Sequence, residues 1–366
     1  MDHATERDRM LLALTGSVKD FTCPTGSDLL ERVAPFHAWQ QARRDRSLWS
    51  YGKATLCDYL QMEHAVLFPT GWAAGYGTIQ GLIHADDHVV LDERAHACLQ
   101  RGARDATRNV HATTHLDTAA VERTLATIRA GDTRNAILVV TESLFSMDSD
   151  TPDLRALQDV CHAYRATLLV DVAHDLGATG ADGLGAIGRQ GMTGRIDLVM
   201  GSFSKTFASN GGFVLTRSRA VKEYLMTFAS PHVFSNALSP VQAAIVDVAL
   251  AIVRSPRGAG LRHALAARCT QLRSALTGAG LTCVGNRSPI VPVPIGDEAL
   301  ARLVTRALPA RGVIANLVEY PGVPRGTARL RLQLMATHTP GDIRQAADGI
   351  IAAFGDGSAE LASLME

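Results

Sequence analysis

Short apolar runs rich in β-branched residues alternate along the chain with longer segments whose apolar positions recur at helical spacing. HVVLDERAH (88–96), AILVVTES (136–143), TLLVDVAH (167–174), IDLVMGSFS (196–204) and GGFVLTR (211–217) read as buried strands that each close on polar residues. Between them AAVERTLATIRAG (119–131) and DLRALQDVCHAYRA (153–166) carry an apolar stripe on one helical face. This rhythm predicts an α/β fold with a mainly parallel central sheet and helices on both faces. After Ser235 the rhythm changes. SPVQAAIVDVALAIV (239–253) and LRHALAARCTQLRSALTGAG (261–280) read as long helices, followed by strands at SPIVPVPIG (288–296) and ARLRLQLM (328–335). The expected division is an N-terminal segment over 1–45, a large domain over 46–235 and a smaller C-terminal α+β domain over 236–366. No internal repeat or low-complexity linker marks the boundary.

Composition narrows the function classes. With 36 basic and 36 acidic residues the formal net charge is zero, so no global field favours nucleic acid or an anionic membrane. The six cysteines are scattered without a C-x-x-C pair, which suggests neither a zinc site nor a disulfide framework and fits a reducing compartment. No segment approaches the roughly 18 uninterrupted apolar residues of a membrane span, and the N-terminus has no leader pattern. The expectation is a soluble, unprocessed cytoplasmic protein whose partners are small molecules or other proteins.

In open parallel sheets ligands bind beyond the carboxyl ends of the strands. Four such ends carry candidate chemistry: His96, then Glu142 with Ser146, then Asp171 with His174, then Ser202, Ser204 and Lys205. Taken singly, Asp171 reads equally well as a helix cap and His174 as a loop histidine. Together on one sheet rim they point to a convergent site. An aspartate at one strand end and a lysine beyond a later one are the pair that pyridoxal phosphate requires. The lysine forms a Schiff base with its aldehyde, and the carboxylate keeps its pyridine nitrogen protonated. The phosphate needs free backbone amides at a helix start, which FPTGWAAGYG (68–77) supplies at Thr70, Gly71 and Trp72.

These segments, in this order over roughly residues 55 to 350, resemble the α-oxoamine synthases, fold-type I pyridoxal phosphate enzymes. PTGWAAGY resembles the family's phosphate turn, and LDERAHACL its D-x-x-x-H-A-S segment. TESLFSMDSD is similar to E-G-V-F-S-M-D-G-D, VDVAHDLGATG to D-E-A-H-S-x-G and GSFSKTF to G-T-F-S-K-A-F. FSNALSP and VPRGTARLRLQLMATHT complete the series.

The resemblance implies that Lys205 holds pyridoxal 5'-phosphate as an internal aldimine and moves the α-proton of the amino acid. Asp171 would pair with the pyridinium, His96 would stack on the ring and His174 would meet its phenolic oxygen. Ser202 with the amides of Gly71 and Trp72 would hold the phosphate, and Ser235 of the partner subunit would reach the same group in a homodimer with shared sites. Arg331 would receive the substrate carboxylate, with Glu142 and Ser146 close by. The implied reaction is a decarboxylative condensation of an amino acid with an acyl thioester to an α-amino ketone, in specialised metabolism. The donor would sit on coenzyme A or an acyl-carrier protein. Arg329 reads as an outward residue, although alternation puts it on the face of Arg331.

Departures mark a divergent member. Gly75 stands where the pattern has Asn, Cys98 where it has Ser, and Val172 where it has Glu. The family's opening N-Y-L-G segment and G-S-R-x-x-x-G loop are not recognisable before residue 56. There ARRDR (42–46) reads first as a solvated helix face and second as a contact for a phosphopantetheine-bearing partner. The competing readings are another fold-type I enzyme, such as an aminotransferase or aldolase, and a non-catalytic scaffold subunit. FSMDSD and RLRLQLM argue against the first and Lys205 against the second.

Overall fold

The computed structural model describes residues 48–365. After α1 (Leu48–Leu60) and β1 (His64–Phe68), helix α2 (Gly71–Leu82) leads to β2 (His88–Asp92). Next come α3 (Ala97–Ala106), β3 (Val110–Thr113), α4 (Thr118–Gly131), β4 (Ile137–Glu142), α5 (Leu154–Ala163) and β5 (Thr167–Asp171). A short α6 (Gly185–Arg189) precedes β6 (Leu198–Ser202) and β7 (Gly212–Thr216). These strands form one seven-stranded sheet in the order β1-β7-β6-β5-β4-β2-β3. Strands β3, β2, β4, β5 and β6 are mutually parallel, and β7 runs against both β6 and β1. The mainly parallel sheet expected from the βα rhythm is therefore present.

Every residue of β4, β6 and β7 is buried, as strands covered on both faces require. One face packs on α2 and α3 through Val66, Phe68, Ile79, Leu99, Val140 and Met200. Side-chain caps set where the covering helices begin: Asp117 accepts the amide of Ala120, and Asp153 that of Ala156.

Beyond α7 (Arg219–Phe228) and α8 (Ser230–Val233), the long helices lie where periodicity put them, as α9 (Pro240–Val253) and α10 (Pro256–Gly278). Helix α9 opens with Ser239 and Gln242 in a reciprocal capping box and Pro240 in the first turn. Strands β8 (Ile290–Gly296), β9 (Asn316–Val318) and β10 (Ala328–Gln333) form an antiparallel sheet in the order β8-β10-β9. With α11 (Glu298–Ala307) and α12 (Pro340–Met365) it encloses a separate core that includes Leu272, Val291, Val304, Leu330 and Ile350. Residues 1–47, which include the expected N-terminal segment 1–45 and ARRDR (42–46), lie outside the described residues.

Candidate active site

The site lies along the carboxyl ends of β2, β4, β5 and β6. Asp171 closes β5 in register with Glu142 at the end of β4, so two buried carboxyl groups stand side by side. Asp171 accepts the amide of Ala173 at 2.8 Å, and the chain turns there without opening a helix. Glu142 accepts the amide of His96 at 2.6 Å and so ties the start of α3 to β4. Burial, and then the charge of Asp171, push the Glu142 carboxyl well above the usual carboxylate range. Burial also raises Asp171, but Lys205, the Ala173 amide and His96 oppose it. Both carboxyls are thus raised, and only Asp171 has the Lys205 and His96 charges together with a backbone amide holding it down.

His96 caps α3 through Nδ1, which receives the amide of Cys98 at 3.3 Å and lies 3.0 Å from its Sγ. Burial lowers the His96 pKa, with Asp171 raising it and Lys205 lowering it. Burial lowers His174 further, and Lys205, Arg331 and His96 add to the effect. His96, Asp171, His174 and Lys205, dispersed in sequence, therefore lie close enough for their charges to act on one another. Both imidazoles are held neutral.

The turn expected to hold the phosphate is built by close backbone approach. Thr70 caps α2 by accepting the amide of Ala73 at 3.0 Å, which leaves the first-turn amides of Gly71 and Trp72 free of that bond. A β-carbon on Gly71 would lie 2.5 Å from both Cβ and Oγ of Ser202, and one on Gly212 would lie 2.5 Å from the Thr70 carbonyl oxygen. Gly211 has φ of +106°, a left-handed conformation that glycine tolerates. The two glycines after Lys205 thus let β7 return against the turn that ends β1. Ser202 Oγ lies 2.7 Å from Ser204 Oγ, with a glycine-walled cradle beside it. Gly71→Ala is expected to cost about 1–3 kcal/mol through overpacking and to weaken cofactor retention, read by thermal unfolding and cofactor titration.

Two departures from the family pattern touch each other. A β-carbon on Gly75 would lie 2.7 Å from Cys98 Sγ, so the larger sulfur sits where a longer residue on α2 would have to pass. Val172 is buried, and its methyl group would lie 3.1 Å from a β-carbon on Gly201. A Glu side chain there would need its own polar partners.

Arg331 Nε donates to the Ser146 carbonyl at 2.6 Å, and burial lowers its pKa. Arg329 is not outward. It is buried, donates to Asp148 Oδ1 at 2.5 Å and shares that carboxylate with Arg94. Lys205, His174 and Arg331 open onto a cavity of about 800 Å³ whose far wall is apolar, with Ile252, Leu261 and Leu265. Two predicted contributors are less engaged. Trp72 stacks on Tyr76 at 4.9 Å and is half exposed, while Ser235 Oγ donates to the Pro231 carbonyl and stands in solvent. Sequence reasoning missed Asp175, a buried carboxyl that accepts from Ser143 Oγ and the Ala186 amide. Burial raises it to about 6 despite those bonds. VDVAHD carried it in plain view, but its partners are remote in sequence.

A buried aspartate, a neighbouring lysine, two neutral imidazoles and a glycine-walled helix start form the donor set of a pyridoxal phosphate enzyme. The comparisons with known proteins agree. Residues 51–350 match the family model for aminotransferase class I and II. The chain is 34% identical over 320 residues to an 8-amino-7-oxononanoate synthase of Salmonella arizonae, covering 84% of this chain and 81% of that one. It is 36% identical over 288 residues to the enzyme of the same name from Citrobacter koseri, covering 79% and 73%. A solved serine palmitoyltransferase of S. paucimobilis with bound PLP superposes with a TM-score of 0.79 at 27% identity, covering 84% and 76%. The chain belongs to the α-oxoamine synthases, pyridoxal-phosphate-dependent acyltransferases within that aminotransferase family. Its cofactor is pyridoxal 5'-phosphate.

Proposed function

We propose that this chain condenses an amino acid with an acyl thioester, with loss of carbon dioxide, to give an α-amino ketone for specialised metabolism. The observation that carries the reading is the cavity in which Lys205 and Arg331 face an apolar wall. It offers a cation for the amino acid's carboxylate beside an amine that can move its α-proton, and apolar surface for an acyl chain.

Bound pyridoxal phosphate supplies the electron sink that makes the α-proton acidic. Lys205 would anchor the cofactor and carry the proton. Asp171 would offer a carboxylate to the ring nitrogen, His96 would pack on the ring, and His174 would donate to the ring oxygen. Ser202 with the amides of Gly71 and Trp72 binds the phosphate, and Arg331 orients the carboxylate. Glu142 acts on His96 by fixing the backbone at the start of α3. Trp72, Phe228, Val233 and Phe234 form exposed apolar surface on α2, α7 and α8 and beyond, with Phe234 87% exposed. A second copy of the chain covers it, and Ser235 of the partner subunit completes the phosphate site.

No helix among the described residues is long and apolar enough to cross a membrane. The donor is carried by coenzyme A or an acyl-carrier protein. The test is carbon dioxide release from carboxyl-labelled amino acids with and without acyl thioesters on each carrier. Release that requires the thioester supports the reading. Amino-group transfer to an oxo acid without a thioester would establish an aminotransferase instead.

A further inference from the structure

The turn Ser143–Asp150, which follows β4, is gripped from several sides. Arg331 holds the Ser146 carbonyl, and Arg329 and Arg94 hold Asp148. Ser149 has φ of +59°, an unusual conformation for a residue with a side chain, and persists because its surroundings fix it. Its Oγ lies 2.6 Å from Ser288 Oγ, and its carbonyl accepts the amide of Asn286 at 2.6 Å. The last residue of the turn, Asp150, meets His115.

His115 lies just after β3 with both ring nitrogens facing carboxylates. Nδ1 is 2.8 Å and 3.0 Å from the two oxygens of Asp92, and Nε2 is 3.0 Å from Asp150 Oδ2. The Phe145 ring meets the imidazole edge-on at 4.6 Å. A neutral imidazole donates through one nitrogen and presents a lone pair at the other, so two carboxylates at opposite ends require the imidazolium. The other oxygen of Asp150 is buried without a hydrogen-bond partner, which leaves His115 as that carboxylate's anchor.

We propose that His115 is a positioning residue: by bridging Asp92 at the end of β2 to Asp150, it fixes the turn that presents the Ser146 carbonyl to Arg331, and so sets the arginine that orients the amino acid. The proposal rests on the reading of Arg331 as the carboxylate receptor. Burial alone would lower the His115 pKa, but the hydrogen bonds and charges of Asp150 and Asp92 outweigh it and raise the group to about 9. The backbone amide of His115 also faces Glu93 at 3.4 Å, while Arg94 and Arg329 are occupied by Asp148. Because the folded pKa lies above the unfolded one, the bridge's contribution to stability is full below about pH 6.5, and the bridge itself is lost as the pH rises through about 9.

The test uses the holoenzyme with His115→Gln and Asp150→Asn. Glycine, L-alanine and L-serine are titrated by cofactor absorbance from pH 7 to 10, beside hydrogen exchange of the amides from 144 to 150. His115→Gln should weaken amino-acid binding about tenfold at pH 7, the scale of one lost charge-assisted hydrogen bond, with cofactor affinity unchanged. The ratio of wild-type to variant affinity should approach one as the pH passes about 9. Asp150→Asn lets a neutral imidazole keep both contacts, so it should retain binding and remove the alkaline loss. Exchange in the turn should quicken in His115→Gln whether or not any amino acid binds. If none of the three amino acids shifts the absorbance, the functional reading fails while exchange still tests the bridge. Unchanged exchange, or equal affinity at pH 7 with only a lower melting temperature, would overturn the proposal.

Discussion

Lys205→Ala is expected to yield a folded protein that turns over at least about a thousand times more slowly, within the range for loss of a positioned proton carrier. The lysine is exposed to the cavity beyond the end of β6, so truncation removes little packing. On the proposed reading, what would be lost is both the covalent anchor for the cofactor and the amine that moves the α-proton. The measurement is turnover beside thermal unfolding, and a melting temperature close to wild type would assign the loss to chemistry.

Asp171→Asn is expected to separate activity from stability in opposite directions. The amide keeps the shape and can still accept from the Ala173 amide, but it removes the charge that the proposed reading has Asp171 offer the ring nitrogen. Turnover should fall about 10² to 10³-fold, the scale of one removed preorganised electrostatic contact. Stability should hold or rise, because burial raises the Asp171 pKa and the folded protein bears the cost of an ionised carboxyl beside Glu142. By linkage this carboxyl opposes folding as the pH climbs above its ordinary unfolded value, and Asn removes that dependence. Paired melting curves and turnover across the acid range check both halves.

Much of the sheet was legible because its central strands are covered on both faces. Strands β2, β4, β5, β6 and β7 read as apolar runs whose polar ends announced His96, Glu142, Asp171 and Lys205. The sheet's outer strands were not legible. Strand β3 has only one of its four residues buried, and β1 is a short run whose place beside β7 comes from a long-range antiparallel pairing. The glycines at 211 and 212 pointed to a close return of the backbone, but only the fold identifies the Thr70 turn as what they approach. Alternation put Arg329 and Arg331 on one face, yet it could not show that Asp148 neutralises the first while the second opens to the cavity. The bridge from Asp92 through His115 to Asp150 was equally hidden, since its three residues are remote in sequence and only the fold brings them together.

The most direct test of the account is to reconstitute the protein with pyridoxal 5'-phosphate, reduce it with borohydride and map the modified peptide by mass spectrometry. The account predicts a visible absorption band that reduction bleaches, with the reduced cofactor fixed on Lys205 alone. No band after reconstitution, or a cofactor fixed on a different lysine, would contradict it.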